Sequence, residues 1–298
     1  MVQPNATLTR LLIVVSALVG LTFPLSSAAR ADEAKKAEVQ IVRDIPYYEG
    51  ADADKVKHKL DLFLPKGQKE FPVVLFVHGG AWLHGDKSFL GIYSAVGMFF
   101  ARHGIGAVVT NYRLSPAVQH PEHVKDVARA FAWTCKNIDK YGGRTDQIFL
   151  CGHSAGAHLV SLLATDETYL KAVGLTPKAI KGVIPISGVY AIPDRLLPMV
   201  FGTDPETRKK AGPIEHVRAD EPPFLILYAQ SDLQSIDKMS EAFYKCLKDN
   251  NCRAQLLEVK KRNHMTILMN AVVENDPAAV AILDFITGLL GKTAAVGQ

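Results

Sequence analysis

The segment Gly152-His153-Ser154-Ala155-Gly156 constrains this chain more than any other. It has the pattern G-x-S-x-G, and its flanks narrow its meaning. Gln147–Cys151 is a short apolar run of strand character, and Ala157–Ala164 has the residues of a helix. A serine on a tight strand-to-helix turn sits in a strained backbone conformation. Glycines two before and two after it let neighbouring backbone approach without a Cβ clash. Such a turn lifts the Ser154 hydroxyl above a sheet edge and sets it at a helix N-terminus. Free amides and the helix dipole there favour developing negative charge.

The rest of the chain supplies a sheet for that turn. Val39–Ile45 and His58–Leu64 read as two antiparallel edge strands, the second alternating as one covered face requires. Phe71–Val77 is continuously apolar, as expected of a strand buried on both faces. Further strands are expected at 105–110, 179–186, 224–229 and 253–260. Helices are expected at 88–102, 122–141, 235–248 and 278–290. In the 122–141 helix Val124, Val127, Ala128, Phe131, Cys135 and Ile138 recur at helical spacing. Strands alternating with helices imply an α/β domain over residues 32–298, with a mostly parallel central sheet and helices on both faces. Residues 193–223, rich in Pro and charge, read as a small irregular insertion near the active site, with a helical piece around 195–200. Active groups of such a sheet belong at the carboxyl ends of its strands.

Three candidates fall there: Ser154, Asp232 after the 224–229 strand, and His264 after the last strand. A neutral serine needs an imidazole to take its proton in the attack and return it to the leaving group. The imidazole needs a carboxylate to hold its tautomer. His264 is singled out as the histidine beyond the last strand, and Asp232 is preferred to Asp237, which falls at the following helix. After the buried 71–77 strand comes His78-Gly79-Gly80-Ala81-Trp82. A glycine-rich turn presents bare N–H groups, and an acyl-transfer transition state needs donors already aimed at its oxyanion. The candidate donors are the amides of Gly79, Gly80, Ala81 and Ala155. Trp82 and His153 are candidate pocket residues, Trp82 being equally readable as core.

Through these segments, together with Gly85-Asp86-Lys87, Asn111-Tyr112-Arg113-Leu114 and Ser187-Gly188, the chain resembles the α/β-hydrolase superfamily over roughly residues 40–290. It is similar to the HGG-bearing carboxylesterase branch, which holds hormone-sensitive-lipase-like and feruloyl-esterase-like proteins and kynurenine formamidases. The resemblance implies the α/β-hydrolase fold, a triad of Ser154, Asp232 and His264, and hydrolysis of a small-molecule ester or an acylated polysaccharide with no cofactor or metal. Ala81 departs from the glycine of many lipase-like members and narrows the cleft wall there. An arylformamidase would use the same machinery, and a non-catalytic ligand-binding hydrolase fold is the reading outside enzymes.

Composition excludes other classes. Net charge is only +4, and no basic stripe interleaved with aromatics offers a nucleic-acid surface. Residues 1–31 read as a signal peptide: Arg10, an apolar run from Leu11 to Phe23, then Ala29-Arg30-Ala31. Export follows as an expectation, to the periplasm or beyond, with no membrane association after cleavage. It weighs against a formamidase of intracellular tryptophan breakdown. Of the 4 cysteines, Cys135 and Cys151 are expected in the core, while Cys246 and Cys252 are close enough in sequence to bridge. His120-Pro121-Glu122-His123 offers a single histidine pair with a proline inside it, which does not make a zinc site. Asp86 is expected to cap the segment that follows it.

Overall fold

The computed structural model describes residues 37–194 and 196–291; the expected signal peptide lies outside them. The chain lays down β1 (Val39–Pro46), β2 (Lys59–Pro65), β3 (Phe71–Val77), α1 (Ile92–Arg102), β4 (Gly106–Thr110), α2 (Glu122–Asn137) and β5 (Gly143–His153). There follow α3 (Ala155–Thr165), α4 (Glu167–Ala172), β6 (Gly182–Ile186), α5 (Pro198–Phe201), α6 (Pro205–Lys210), β7 (Phe224–Ser231), α7 (Ile236–Asp249), β8 (Ala254–Asn263), α8 (Thr266–Asn270) and α9 (Pro277–Gly291). The 8 strands form one sheet in the order β1-β2-β4-β3-β5-β6-β7-β8. β2 is antiparallel to both β1 and β4, and every pairing from β4 to β8 is parallel.

The apolar run of β3 splits between two cores, as a strand covered on both faces must. Val73, Leu75 and Val77 face one, with Phe131 of α2, Leu159 of α3 and Phe243 of α7. Val74 and Phe76 face the other, with Phe99 and Phe100 of α1 and Ile282 and Phe285 of α9. The sheet therefore carries helices on both faces, the α/β-hydrolase architecture.

β2 corrects the expectation of an alternating edge strand. It lies inside the sheet, shielded by β1, and both its faces are buried. Its apparent polar face is closed by charge: Asp61 is fully buried against Lys87 Nζ at 2.7 Å and Arg43 at 3.1 Å. Other boundaries shift by local geometry. A 3-10 turn with Leu90 at φ 47° precedes α1, and another, Ile138–Tyr141, ends the α2 segment. The turn Pro177–Ala179 delays β6 to Gly182. α4, α6 and α8 were not foreseen, being too short for a periodic pattern.

The insertion after β6 is held from within. Arg208 of α6 is buried and its guanidinium donates to the carbonyls of Pro193, Leu196 and Gly202. Cys246 and Cys252 are free thiols, so the bridge that their spacing allowed is not formed. Each faces the insertion's exit instead, Cys252 Sγ donating to Arg218 O at 3.1 Å and Cys246 Sγ lying 3.8 Å from Ile214 O. Cys151 is buried, whereas Cys135 is only partly so.

Candidate active site

Ser154 follows β5 directly and precedes the first residue of α3, at φ 55° and ψ −118°. A side chain rarely adopts this conformation, at a cost of order 1–3 kcal/mol. The surroundings enforce it. The Ser154 amide donates to Ile186 O at the end of β6 (2.9 Å), and the Ser154 carbonyl accepts from His158 N (3.1 Å). The two flanking glycines permit the close approach. A Cβ on Gly156 would stand 2.0 Å from Val77 O, and one on Gly152 would stand 2.5 Å from the Gly156 carbonyl carbon.

The carboxyl ends of β7 and β8 bring two groups to this hydroxyl. His264 Nε2 lies 2.9 Å from Ser154 Oγ, and His264 Nδ1 lies 2.6 Å from Asp232 Oδ1. A carboxylate only accepts, so Nδ1 carries the proton and Nε2 presents its lone pair to the serine. His264 is 14% exposed and Asp232 2%. Burial by itself would raise the Asp232 carboxyl. Donors from His264, Ser187 and the amides of Ala229 and Leu233 outweigh it and hold the group below its ordinary value. Ser187 Oγ donates at 2.6 Å, the Ala229 amide at 2.9 Å and the Leu233 amide at 2.8 Å. Asp237 sits in the first turn of α7 and takes no part in this chain of bonds.

The turn after β3 packs on the serine turn: a Cβ on Gly79 would stand 3.2 Å from Ser154 Cβ. Ala81 and Trp82 both have positive φ, 54° and 59°, which folds the turn back on itself. Among the described residues the amides of Gly80, Ala81 and Ala155 donate to no protein acceptor. The turn is braced from outside. Asn111, at the end of β4, accepts from the Lys87 amide at 2.6 Å and donates to Asp86 Oδ2 at 2.8 Å. Asp86 Oδ1 accepts from the Ser88 amide (3.0 Å) and hydroxyl (2.7 Å), an Asx turn ahead of the 3-10 segment rather than the expected cap, since the N-cap of that segment is Ser88 with no side-chain cap bond.

The two candidate pocket residues are corrected. His153 is 2% exposed and lies beneath the site. Its Nε2–H donates to the His264 carbonyl at 2.7 Å, and burial lowers its pKa to about 4, so it stays neutral. It positions the His264 backbone rather than lining a pocket. Trp82 is 3% exposed and packs edge-on to His158 and Phe201, which makes it core. Its Nε1–H donates to His158 Nδ1 at 3.2 Å, and His158 Nε2–H donates to Ala211 O at 2.8 Å, tying the turn after β3 to the insertion. Sequence reasoning missed the parts played by Ser187 and Asn111. Each is a small polar residue immediately after an apolar strand, which was the available signal. Among the described residues no group of three or more His, Cys, Asp or Glu is placed to hold a metal ion. His123 Nε2 faces Ser115 Oγ at 3.1 Å.

Known proteins carry the same arrangement of segments. The chain is 29% identical over 273 residues to esterase LipQ of Mycobacterium tuberculosis, covering 84% of this chain and 62% of that one. It is 28% identical over 261 residues to kynurenine formamidase of Danio rerio, covering 84% of each. It superposes on a truncated carbohydrate esterase from gut microbiota with a TM-score of 0.73 at 19% identity, covering 86% of this chain and 98% of that one. The chain spans 41% to 62% of the length of three mycobacterial relatives that it matches. A family model described as BD-FAE matches residues 60–247, from β2 through most of α7, and so includes Ser154 and Asp232. This chain belongs to the BD-FAE family.

Proposed function

We propose that this protein is a serine carboxylesterase that cleaves carboxylic esters of short to medium or aromatic acyl groups through an acyl-Ser154 intermediate. The observation that carries the reading is the bonded series Ser154 Oγ, His264, Asp232, at 2.9 Å and 2.6 Å, on a strained turn at a helix N-terminus. As Ser154 Oγ attacks the carbonyl carbon, His264 Nε2 takes its proton and the carbonyl oxygen becomes an oxyanion. The amides of Gly79, Gly80, Ala81 and Ala155 are the candidate donors to receive it; losing one such donor typically costs about 3 kcal/mol of barrier stabilisation. Collapse expels the alcohol, which leaves with the proton from His264. Water then repeats the cycle on the acyl group, with His264 first base and then acid. Asp232 fixes the Nδ1–H tautomer and stabilises the imidazolium.

Turnover of p-nitrophenyl acetate, p-nitrophenyl butyrate, methyl ferulate, acetylated xylan and N-formylkynurenine, by wild type and Ser154→Ala, tests this. The expected result is ester cleavage that falls at least about 10³-fold in the variant. Full activity of Ser154→Ala refutes it. The likeness to kynurenine formamidase supports a second reading, an arylformamidase, and N-formylkynurenine turnover far above every ester would select it. We also propose that the protein is exported after removal of residues 1–31, which predicts a mature chain beginning at Asp32 outside the cytoplasm. Recovery of the intact N-terminus from the cytoplasm alone refutes that.

A further inference from the structure

A cleft of about 500 Å³ opens between the start of α2, the junction of α3 and α4, and the insertion. Ser154 and Asp166 cap opposite ends of α3, which at 1.5 Å per residue separates them by roughly 18 Å. The cleft is therefore distinct from the serine site.

Its walls present the rings of His120, Tyr169 and His216, with Asp166, Thr207 and Lys210 around them. Some of these polar groups are already engaged. Asp166 Oδ1 accepts from the Thr168 amide and hydroxyl, Thr207 Oγ1 donates to Asp204, and His216 Nε2–H donates to Lys210 O at 2.7 Å. Three others are not. The His120 imidazole, half-buried against the Phe201 ring, the Tyr169 hydroxyl and the Lys210 ammonium have no hydrogen-bond partner among the described residues. Burial keeps His120 neutral, its pKa lowered to about 4, and keeps the Tyr169 phenol protonated. The cleft thus offers donors and acceptors interleaved over flat ring faces, with one carboxylate and one ammonium nearly balancing each other.

That pattern selects a ligand. An anion would meet Asp166, and a cation would meet Lys210. An acyl chain would desolvate His120 and Tyr169 and leave them unpaired, at about 1–3 kcal/mol each. An uncharged ring that carries hydroxyls on its edge and C–H groups on its faces satisfies both the rings and the free polar atoms. We propose that this cleft binds a neutral pyranose unit of a polysaccharide, as a second site that holds the chain whose ester Ser154 cleaves. The link to cleavage rests on the esterase reading of Ser154, whereas the binding itself does not.

Titration of the full-length Ser154→Ala protein with ester-free xylohexaose, mannohexaose and cellohexaose, followed by calorimetry, tests the cleft alone. At least one hexaose should bind. Tyr169→Ala, and Tyr169→Phe, which removes only the hydroxyl and keeps the ring packed, should each weaken binding, the former about tenfold or more, which is 1.4 kcal/mol. In the Ser154 background, the same Tyr169 substitutions should leave p-nitrophenyl acetate turnover within about twofold while lowering turnover of acetylated xylan. Binding of none of the three hexaoses, or binding indifferent to Tyr169→Ala, overturns the proposal even if simple esters are cleaved. Tyr169-dependent binding in a protein that cleaves no ester upholds the cleft and removes the esterase reading.

Discussion

Replacing Glu221 by glutamine should stabilise this protein at pH 8 and change it little near pH 4.5. Glu221 precedes β7 and is buried. One carboxylate oxygen accepts from the Arg218 amide at 3.1 Å and faces its guanidinium at 3.2 Å, while Oε2 is buried without a partner. Burial raises the carboxyl from its ordinary 4.5 to about 7, against the pull of Arg218. The folded state therefore holds a proton that the unfolded state has released between those two values. Stability from this group is complete below about pH 4.5 and is lost as pH rises through 7. At about 1.4 kcal/mol per pH unit the full loss is about 3.5 kcal/mol, of which about 2.5 kcal/mol falls between pH 5 and pH 8. Glutamine is neutral throughout, so the variant does not suffer it. Any cost of the new amide is the same at both pH values and cancels in the comparison. Thermal unfolding of both proteins at pH 5 and pH 8 should show a gap that widens in favour of Glu221→Gln by about 2–3 kcal/mol, or roughly 4–12 °C in Tm. A gap that is equal at the two pH values, or one that favours wild type at pH 8, refutes the claim that Glu221 is held protonated.

Three further outcomes are expected. Ser187→Ala removes a 2.6 Å donor from the Asp232 carboxylate; a hydrogen bond to a charge contributes about 1.5–3 kcal/mol, so kcat should fall roughly 10- to 100-fold with KM little changed, and retention of kcat within about twofold refutes the role. Gly156→Ala drives a methyl onto the Val77 carbonyl at 2.0 Å; a loss of more than about 3 kcal/mol is expected in urea unfolding, and an alanine variant of wild-type stability contradicts the close packing of α3 on β3. His78, His120, His123 and His153 are each lowered by burial from 6.5 to about 4. Their stabilisation is complete above pH 6.5 and disappears as pH falls through 4. In the Glu221→Gln protein, where the opposing carboxyl is absent, the unfolding midpoint should drop across that window, and a flat profile refutes burial of the neutral rings.

The fold was legible wherever a long apolar run met a turn signal. β3 and its exit were placed to the residue because seven consecutive apolar positions leave no other reading. β2 was misplaced in the sheet because alternation records which residues are polar, not what covers them. Its polar face is closed by Lys87, 26 positions past Asp61 in sequence, and no local pattern reports so distant a partner. At the site, Ser154, Asp232 and His264 were findable because each lies within a few residues of an apolar strand's end. His153 was misread for the opposite reason: it shares the serine's turn, yet its ring points beneath the site to a carbonyl 111 positions away.

The sheet order gives the two halves of the site unequal foundations. Ser154 rises from β5, which has neighbours on both sides and a carboxyl-terminal half that is wholly buried. His264 hangs from β8, the outermost strand, paired on one side and half open to water. Edge elements of this kind open at lower free energy than a sheet's centre. The candidate nucleophile thus belongs to the part of the molecule expected to loosen last, and its candidate base to a part expected to loosen early. Under mild heat or denaturant the protein would be disarmed while still folded, and on cooling it would rearm by reseating one strand. Over evolutionary time the same asymmetry leaves the β8 margin open to remodelling, with the β5 elbow held as a fixed point.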